Sequence, residues 1–481
     1  MSERTLQKEV GLVRANKQYL VSIEGLPSAR VHDIIVNKDG KRALVTALSH
    51  DAVEAMTLDQ MEVKPGQQFE IYPETNQLSI GGHMFGRIIN ALGDPIDSLG
   101  AFPPKNSPFV LEKEAGDLAG RESIHQQFVT GFSMIDTVLP LGKGQRQLLM
   151  GSVRSGTETF CKKVIHNQST SDMICIYATI GKPETYVRRL ASDILNNETK
   201  KNTIILASTS EDPVPLSTIA PSVALYIAEH FCEEGKDVLL IFDDLYTHAK
   251  NLREIALLEG HLPGRESYPG DIFYKQAHLI ERAGNFKGKG SITLLPILQT
   301  DIESTTDLIM TNIMGTTDGH YLFSPERFAR GIFPPVQEEE SVTRVGKHTQ
   351  SVVQKQLSTA IVSLLADASE QRKYTQFGTQ VSEATRSVIN MGESVRFILN
   401  QDEEEKLSLE TQAILLSLVF TTLSTGKDAG FFSKNYEGLR DTITKRKEFE
   451  GLRKAVHEKD SLDAFIAEME KHTQLFKKVC R

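Results

Sequence analysis

Two glycines, Gly151 and Gly156, frame the run Gly151-Ser-Val-Arg-Ser-Gly-Thr-Glu158, which follows an apolar strand candidate, Arg146-Gln-Leu-Leu-Met150, and precedes a helical stretch. A strand, a glycine-rich turn and a helix in this order make a phosphate cradle. Backbone N–H groups and the helix N-terminus face the anion. In a working GxxxxGK[ST] loop the lysine neutralises the β- and γ-phosphates, and the hydroxyl after it binds Mg²⁺. Here Thr157 replaces the lysine and Glu158 the hydroxyl. Unit charges about 4 Å apart interact by roughly 4 kcal/mol at an effective dielectric near 20. Losing one positive and gaining one negative charge is therefore enough to abolish micromolar affinity. Arg154 is a cation within the loop, and Ser155 a polar neighbour. A solvated or structural arginine is the simpler role for Arg154. On charge alone, exchanging Thr157 for Lys and Glu158 for Thr is expected to restore some binding.

Asp243 ends the apolar run Val238-Leu-Leu-Ile-Phe242, the place where a Walker-B aspartate holds Mg²⁺ through water. With the loop altered, a structural role serves Asp243 equally well. Asp244 reads as a helix cap or a solvated residue. The histidines are dispersed and no metal site is expected in this chain. Four cysteines, Cys161, Cys175, Cys232 and Cys480, lack CxxC or zinc spacing and read as reduced thiols.

These groups need a scaffold, and the chain of 481 residues is long enough for several cores. Residues 1–83 carry short β-branched runs, such as Tyr19-Leu-Val-Ser-Ile23 and Asp33-Ile-Ile-Val36, separated by turns at Asp39-Gly40 and Pro65-Gly66. That pattern predicts a β-barrel. Residues 84–350 alternate buried-strand candidates with helical stretches, the pattern of a parallel α/β sheet. Residues 351–481 have no proline and helical spacing throughout, with Phe465, Ile466 and Met469 on one face; this predicts a helical domain whose last helix faces the core. The net charge of −9 gives no support for a nucleic-acid binder. The polar first eight residues show no signal peptide, and the apolar run 413–420 is too short to cross a bilayer, so membrane association is expected to go through partners.

The order of motifs resembles a known family. Gly86-Arg-Ile-Ile-Asn-Ala-Leu-Gly-Asp-Pro-Ile-Asp97, Thr130-Gly131, Asp136 and Leu141-Gly-Lys-Gly-Gln-Arg146 resemble the barrel-to-core junction of rotary and export ATPase subunits. Leu262-Pro-Gly-Arg-Glu-Ser-Tyr-Pro-Gly-Asp-Ile-Phe-Tyr274, Leu279-Ile-Glu-Arg-Ala283, Thr317-Asp-Gly319, Ser341-Val-Thr-Arg-Val-Gly346 and Gln376-Phe-Gly378 are similar to the alpha subunit of F-type ATPases. The resemblance runs from about residue 10 to about residue 430. It implies a barrel, a nucleotide-binding core and a helical bundle. It also implies a ring of three alpha and three catalytic beta subunits around a gamma-type shaft, peripheral on the cytoplasmic side of a membrane and coupled to ion flow through a membrane sector. ATP or ADP with magnesium would act at the interface with beta. Arg344 would be an arginine finger reaching the neighbour's γ-phosphate, with Ser341 supporting it.

The sequence departs from this family at the loop and at three further places. Phe333 in Gly331-Ile-Phe-Pro-Pro335 replaces an arginine beside the nucleotide. Val336-Gln-Glu-Glu-Glu340 is unusually acidic. Glu403 replaces one of two glutamines that border the adenine, near Gln401. Together they imply that the chain's own nucleotide site is weak or empty. Lys182, in Gly181-Lys-Pro183, stands where the catalytic sister carries a glutamate that orients water; a charged lysine cannot accept that proton. Set against the family, the first residues are expected to lack the leading stalk-docking helix. The expected function is a non-catalytic alpha-type subunit. Its rivals are an alpha-like subunit of a specialised F-like pump or motor, and a nucleotide-free scaffold. A homo-oligomeric export ATPase or RNA translocase is disfavoured, because it needs its own intact loop.

Overall fold

Short alternating strands build the N-terminal part. β1 (Val10–Lys17), β2 (Leu20–Glu24), β3 (Ile34–Asn37), β4 (Arg42–Leu48), β5 (Val53–Thr57) and β6 (Gln68–Ile71) close into a barrel in the order β1-β2-β5-β4-β3-β6. Val13, Val21, Ile23, Ile35, Val45, Ala55 and Phe69 point inward and are buried. Gly11 lets β1 approach its neighbour, since a Cβ there would come within 2.5 Å of Ile23 Cγ2. Strand β5 was not legible in the sequence. Its Glu, Ala and Met are weak strand formers, and the barrel partners impose the extended conformation. The computed structural model describes residues 9–72, 77–104, 107–108, 111, 113–299, 307–375, 382–428 and 430–480. The motif 376–378 lies outside them.

The chain divides into two compact units. The first contains the barrel and most of the α/β core, from the chain up to Ser123, Arg146–Met150 and Gln168–Thr317. Its strands are β7 (Ile88–Ile89), β8 (Gln147–Gly151), β9 (Ile174–Lys182), β10 (Thr203–Thr209), β11 (Val238–Asp243) and β12 (Ser291–Gln299), side by side in the order β8-β12-β11-β9-β10-β7. The ladders among β7, β10, β9, β11 and β12 are parallel. Strands β9, β10 and β11 are buried along almost their whole length, as expected of a sheet covered on both faces. Helices of this unit include α2 (Glu184–Ile194), α3 (Val214–Glu233), α4 (Leu245–Leu258), α5 (Ile272–Glu281) and α6 (Leu308–Thr316), and α3 packs on β9, β10 and β11.

The second unit comprises Ile124–Gln145, Gly151–Asn167 and Asp318–Arg481. It holds α1 (Thr157–Asn167), the antiparallel pair β13 (Gly319–Leu322) and β14 (Val342–Thr343), and the short helix α7 (Pro325–Ala329). A helical array follows, running from α8 (Val352–Thr375) through α9 (Glu383–Leu399) and α10 (Leu409–Ser417) to α14 (Thr473–Val479). Serine caps start several of these helices: Ser382 accepts from Thr385 N, Ser408 from Thr411 N and Ser461 from Ala464 N. The penultimate helix buries Leu462, Phe465 and Met469, so its apolar stripe faces the core. Among the described residues, no helix is long and apolar enough to cross a membrane.

Candidate functional site

Strand β8 leads into the glycine loop, and α1 starts at Thr157. Gly156 has φ +87, and a Cβ there would lie 2.7 Å from both Phe328 Cδ2 and Pro335 Cγ. Side chains from α7 and the segment after it therefore lie directly on the loop backbone. Thr157 Oγ1 is 2.9 Å from Ser155 Oγ, a buried pair. Lys162 donates to Glu158 at 3.0 Å, one helical turn on. The negative charge at the magnesium-ligand position is thus balanced inside α1. This pairing was open to a reading of the sequence, because Glu and Lys at i and i+4 face each other on a helix. Arg154 sits at φ +66 and is exposed.

The far end of the loop site is aromatic. Phe333 is 3 % exposed and meets the Phe132 ring edge-on, with centroids 5.2 Å apart. Phe132 in turn contacts Phe160 of α1, and Phe160 contacts Phe323. Gln401 is buried and committed to backbone: its Oε1 accepts from Ser133 N, its Nε2 donates to Gly131 O at 3.2 Å, and its N donates to Phe333 O at 3.0 Å. A cavity of about 330 Å³ remains, lined by Phe328, Phe333, Gln401, Asp402, Glu403 and Glu404 among others. Glu403 is exposed at its edge. Within the acidic segment, Glu338 is largely buried and is paired by Arg327 and Arg396, which accounts for one of its carboxylates.

Asp136 lies beneath this region and is wholly buried. It accepts from Thr130 N at 2.8 Å, Thr130 Oγ1 at 2.7 Å, Gly131 N at 2.8 Å and Gln412 Nε2 at 2.9 Å. Burial pushes its carboxyl up to about 6, against the pull of these donors. Asp136 and Thr130-Gly131 were singled out in the sequence; their partner Gln412 was not, because a sequence separation of 276 residues leaves no local signal.

In the first unit, Asp243 is 1 % exposed at the end of β11. Tyr177 donates to its Oδ2 at 3.0 Å and Tyr186 to the same oxygen at 2.5 Å. Lys182 Nζ lies 2.8 Å from Asp243 Oδ1 and 3.2 Å from Asp244 Oδ2. Burial alone would lower the lysine's pKa, but the two carboxylate charges outweigh it and the net direction is upward. Lys182 is therefore a fixed cation. Asp244 caps α4 by accepting from Thr247 N at 2.6 Å, the role that its position suggested.

The segment 341–346 is pinned on both sides of Arg344. Ser341 Oγ accepts from Leu322 N at 3.0 Å and donates to Gln337 O at 2.6 Å. Thr343 Oγ1 donates to Pro140 O at 2.8 Å, and Arg344 N donates to Asp318 O at 3.1 Å. Gly346 passes so close to Pro140 that a Cβ would stand 1.6 Å from its carbonyl oxygen. The Arg344 side chain is exposed, and no ion pair to it occurs among the described residues. Ser341 is thus a brace of the local backbone.

Residues 131–343 match the family model described as ATP synthase alpha/beta family, nucleotide-binding domain, and residues 350–474 match that of the ATP synthase alpha/beta chain, C terminal domain. The chain is 34% identical over 420 residues to ATP synthase subunit alpha 2 of Syntrophus aciditrophicus, covering 86% of this chain and 81% of that one. The chain is an alpha-type member of the ATP synthase alpha/beta family. It is also 32% identical over 421 residues to ATP synthase subunit alpha 2 of Nitrosospira multiformis, covering 86% of this chain and 82% of the other. With ATP synthase subunit alpha 1 of Chlorobium luteolum the identity is 31% over 424 residues, covering 86% and 83%. Membership supports a role for the chain as a subunit in an ATPase or synthase complex.

Proposed function

We propose that this chain is the non-catalytic partner in an alternating ring with catalytic beta-type subunits. It donates Arg344 in trans to phosphoryl transfer between ATP and water at the partner's site. The observation that carries this reading is the segment 341–346. Four hydrogen bonds and a glycine contact fix its backbone, while its arginine is left exposed. An arginine whose backbone is fixed this way can present a planar guanidinium to the equatorial oxygens of a transferring phosphoryl group. A gamma-type shaft, a membrane sector and coupling to proton or sodium flow belong to the same reading. The test is reconstitution. The purified chain alone gives no ATP turnover, and turnover appears with a beta-type chain whose GxxxxGK[ST] loop is intact. Turnover by the isolated chain, surviving removal of contaminating ATPases, refutes the assignment.

The chain's own loop site is read as closed to Mg-ATP. Phe328 and Pro335 lie on Gly156, Phe333 sits among aromatic rings, and Gln401 has its amide committed to backbone. The pair Glu158–Lys162 changes the expectation drawn from charge alone. Glu158 is already balanced, so Thr157→Lys with Glu158→Thr leaves the obstruction at Gly156 and Phe333 untouched. Calorimetry should therefore find no low-micromolar Mg-ATP site in the wild-type chain or in that double variant. A tight site in the double variant would show that charge, and not packing, closes the loop. The closed loop also favours a second reading, an alpha-type paralogue in a specialised F-like pump or motor. The genes beside this one discriminate: delta- and stalk-type neighbours belong to an ordinary synthase.

A further inference from the structure

Lys182 ends β9 with its ammonium inside a ring of oxygens. Nζ lies 2.8 Å from Asp243 Oδ1, 3.2 Å from Asp244 Oδ2 and 3.0 Å from Gln299 Oε1, at the ends of β11 and β12. The ammonium donates to Asp244 Oδ2 and Gln299 Oε1 and is ion-paired with Asp243 Oδ1. The second oxygen of Asp243 is taken by Tyr177 and Tyr186, and Asp244 Oδ1 caps α4. Two carboxylates and an amide oxygen are the ligand types that a hard divalent cation selects. The centre of that set is filled by a side chain. Asp243 and the lysine head are both well buried, so the charges are not screened by solvent.

We propose that Lys182 is a built-in cation that replaces the divalent ion at the Asp243 carboxylate, so that this centre stays neutralised with no exchangeable metal. The inference rests on the reading that the chain carries no working nucleotide site of its own, and extends it to the Asp243 carboxylate, whose counter-charge the chain itself supplies. Removing the lysine leaves two buried carboxylates without a counter-charge, which is strongly unfavourable. The vacancy should then recruit an ion. A lysine that serves only as a surface-type salt bridge would create no such demand.

The test uses the full-length chain without nucleotide, so its outcome is separate from that of the calorimetry above. Free Mn²⁺ is followed by electron paramagnetic resonance in wild type, Lys182→Met, Lys182→Gln, Asp243→Asn and the Lys182→Met/Asp243→Asn double variant. Wild type and Asp243→Asn are expected to give the same weak background. Lys182→Met and Lys182→Gln gain one Mn²⁺ site, roughly tenfold or more tighter than that background, and Asp243→Asn removes it again. In EDTA the unfolding midpoint of Lys182→Met falls, and millimolar Mg²⁺ restores it by roughly 3–6 °C, whereas wild type does not respond. A Mn²⁺ site in wild type that vanishes in Asp243→Asn overturns the proposal, because the lysine would then not exclude the ion. So do folded Lys182 variants that gain no site. If the variants do not fold in EDTA, their refolding yield from urea is compared with and without Mg²⁺. Recovery only with the ion supports the proposal, and equal yields overturn it.

Discussion

Replacing Arg344 with alanine should lower multi-site ATP turnover in the reconstituted complex by roughly 10³- to 10⁵-fold, the range arginine fingers contribute in related phosphoryl transfers. On the proposed role the loss should fall on kcat, since a guanidinium in trans would meet charge that develops in the transition state. Arg344→Lys should recover little, because a point charge on a flexible stem does not reproduce the planar fork. Assembly should survive, as the side chain is exposed and the surrounding backbone is held by Ser341, Thr343 and Gly346, which the substitution leaves in place. Ser341→Ala is the informative neighbour. It removes the hydroxyl that accepts from Leu322 N and donates to Gln337 O, so it should lower turnover less than Arg344→Ala, by loosening the brace. Arg154→Ala is the control and should leave the rate near wild type. An assembled Arg344→Ala complex that keeps most of its rate would move the scaffold reading ahead.

Asp136→Ala should cost about 3–5 kcal/mol of stability in urea unfolding. The substitution strips the acceptor from two buried backbone N–H groups, Thr130 N and Gly131 N, and from the Gln412 amide. Its pH dependence has a definite sign. The native carboxyl is raised to about 6 from an ordinary value of 3.8, so between those values the folded chain holds a proton that the unfolded chain has released. Stability from this group is therefore greatest below about pH 4, falls as pH rises toward 6 and is flat above it. The gap between wild type and Asp136→Ala should accordingly be wider near about pH 5 than near about pH 7.5. A gap that widens with pH would mean that the four donors, and not burial, set the native state of Asp136.

Local signals carried most of the fold. The runs at 203–207 and 238–242 became the buried strands β10 and β11, because a continuous apolar run suits a sheet covered on both faces. The helix read over 217–234 became α3, which tolerates Pro221 within its span. Local signals also carried the family, through motif order. They could not show contacts between distant segments. Nothing near Gly156 announces Phe328 and Pro335, and nothing near Asp243 announces Tyr177 and Gln299. The acidic segment 336–340 looked like a feature of the nucleotide pocket; for Glu338, two arginines supply the explanation. Lys182 was read by what it cannot do, accept a proton, whereas its geometry is that of a cation with three oxygen partners.

The aromatic contact of Phe333 with Phe132 has a bearing on the history of this lineage. Putting an arginine back at position 333 alone would bury a guanidinium beside aromatic rings, with no phosphate to meet it. Putting a lysine back at position 157 alone would replace a buried threonine whose hydroxyl pairs with Ser155. Each single reversion passes through a less stable protein before any nucleotide affinity is regained. On the proposal that the chain's own site is closed, selection acting one substitution at a time would meet a barrier in that direction, and the closure would work as a ratchet.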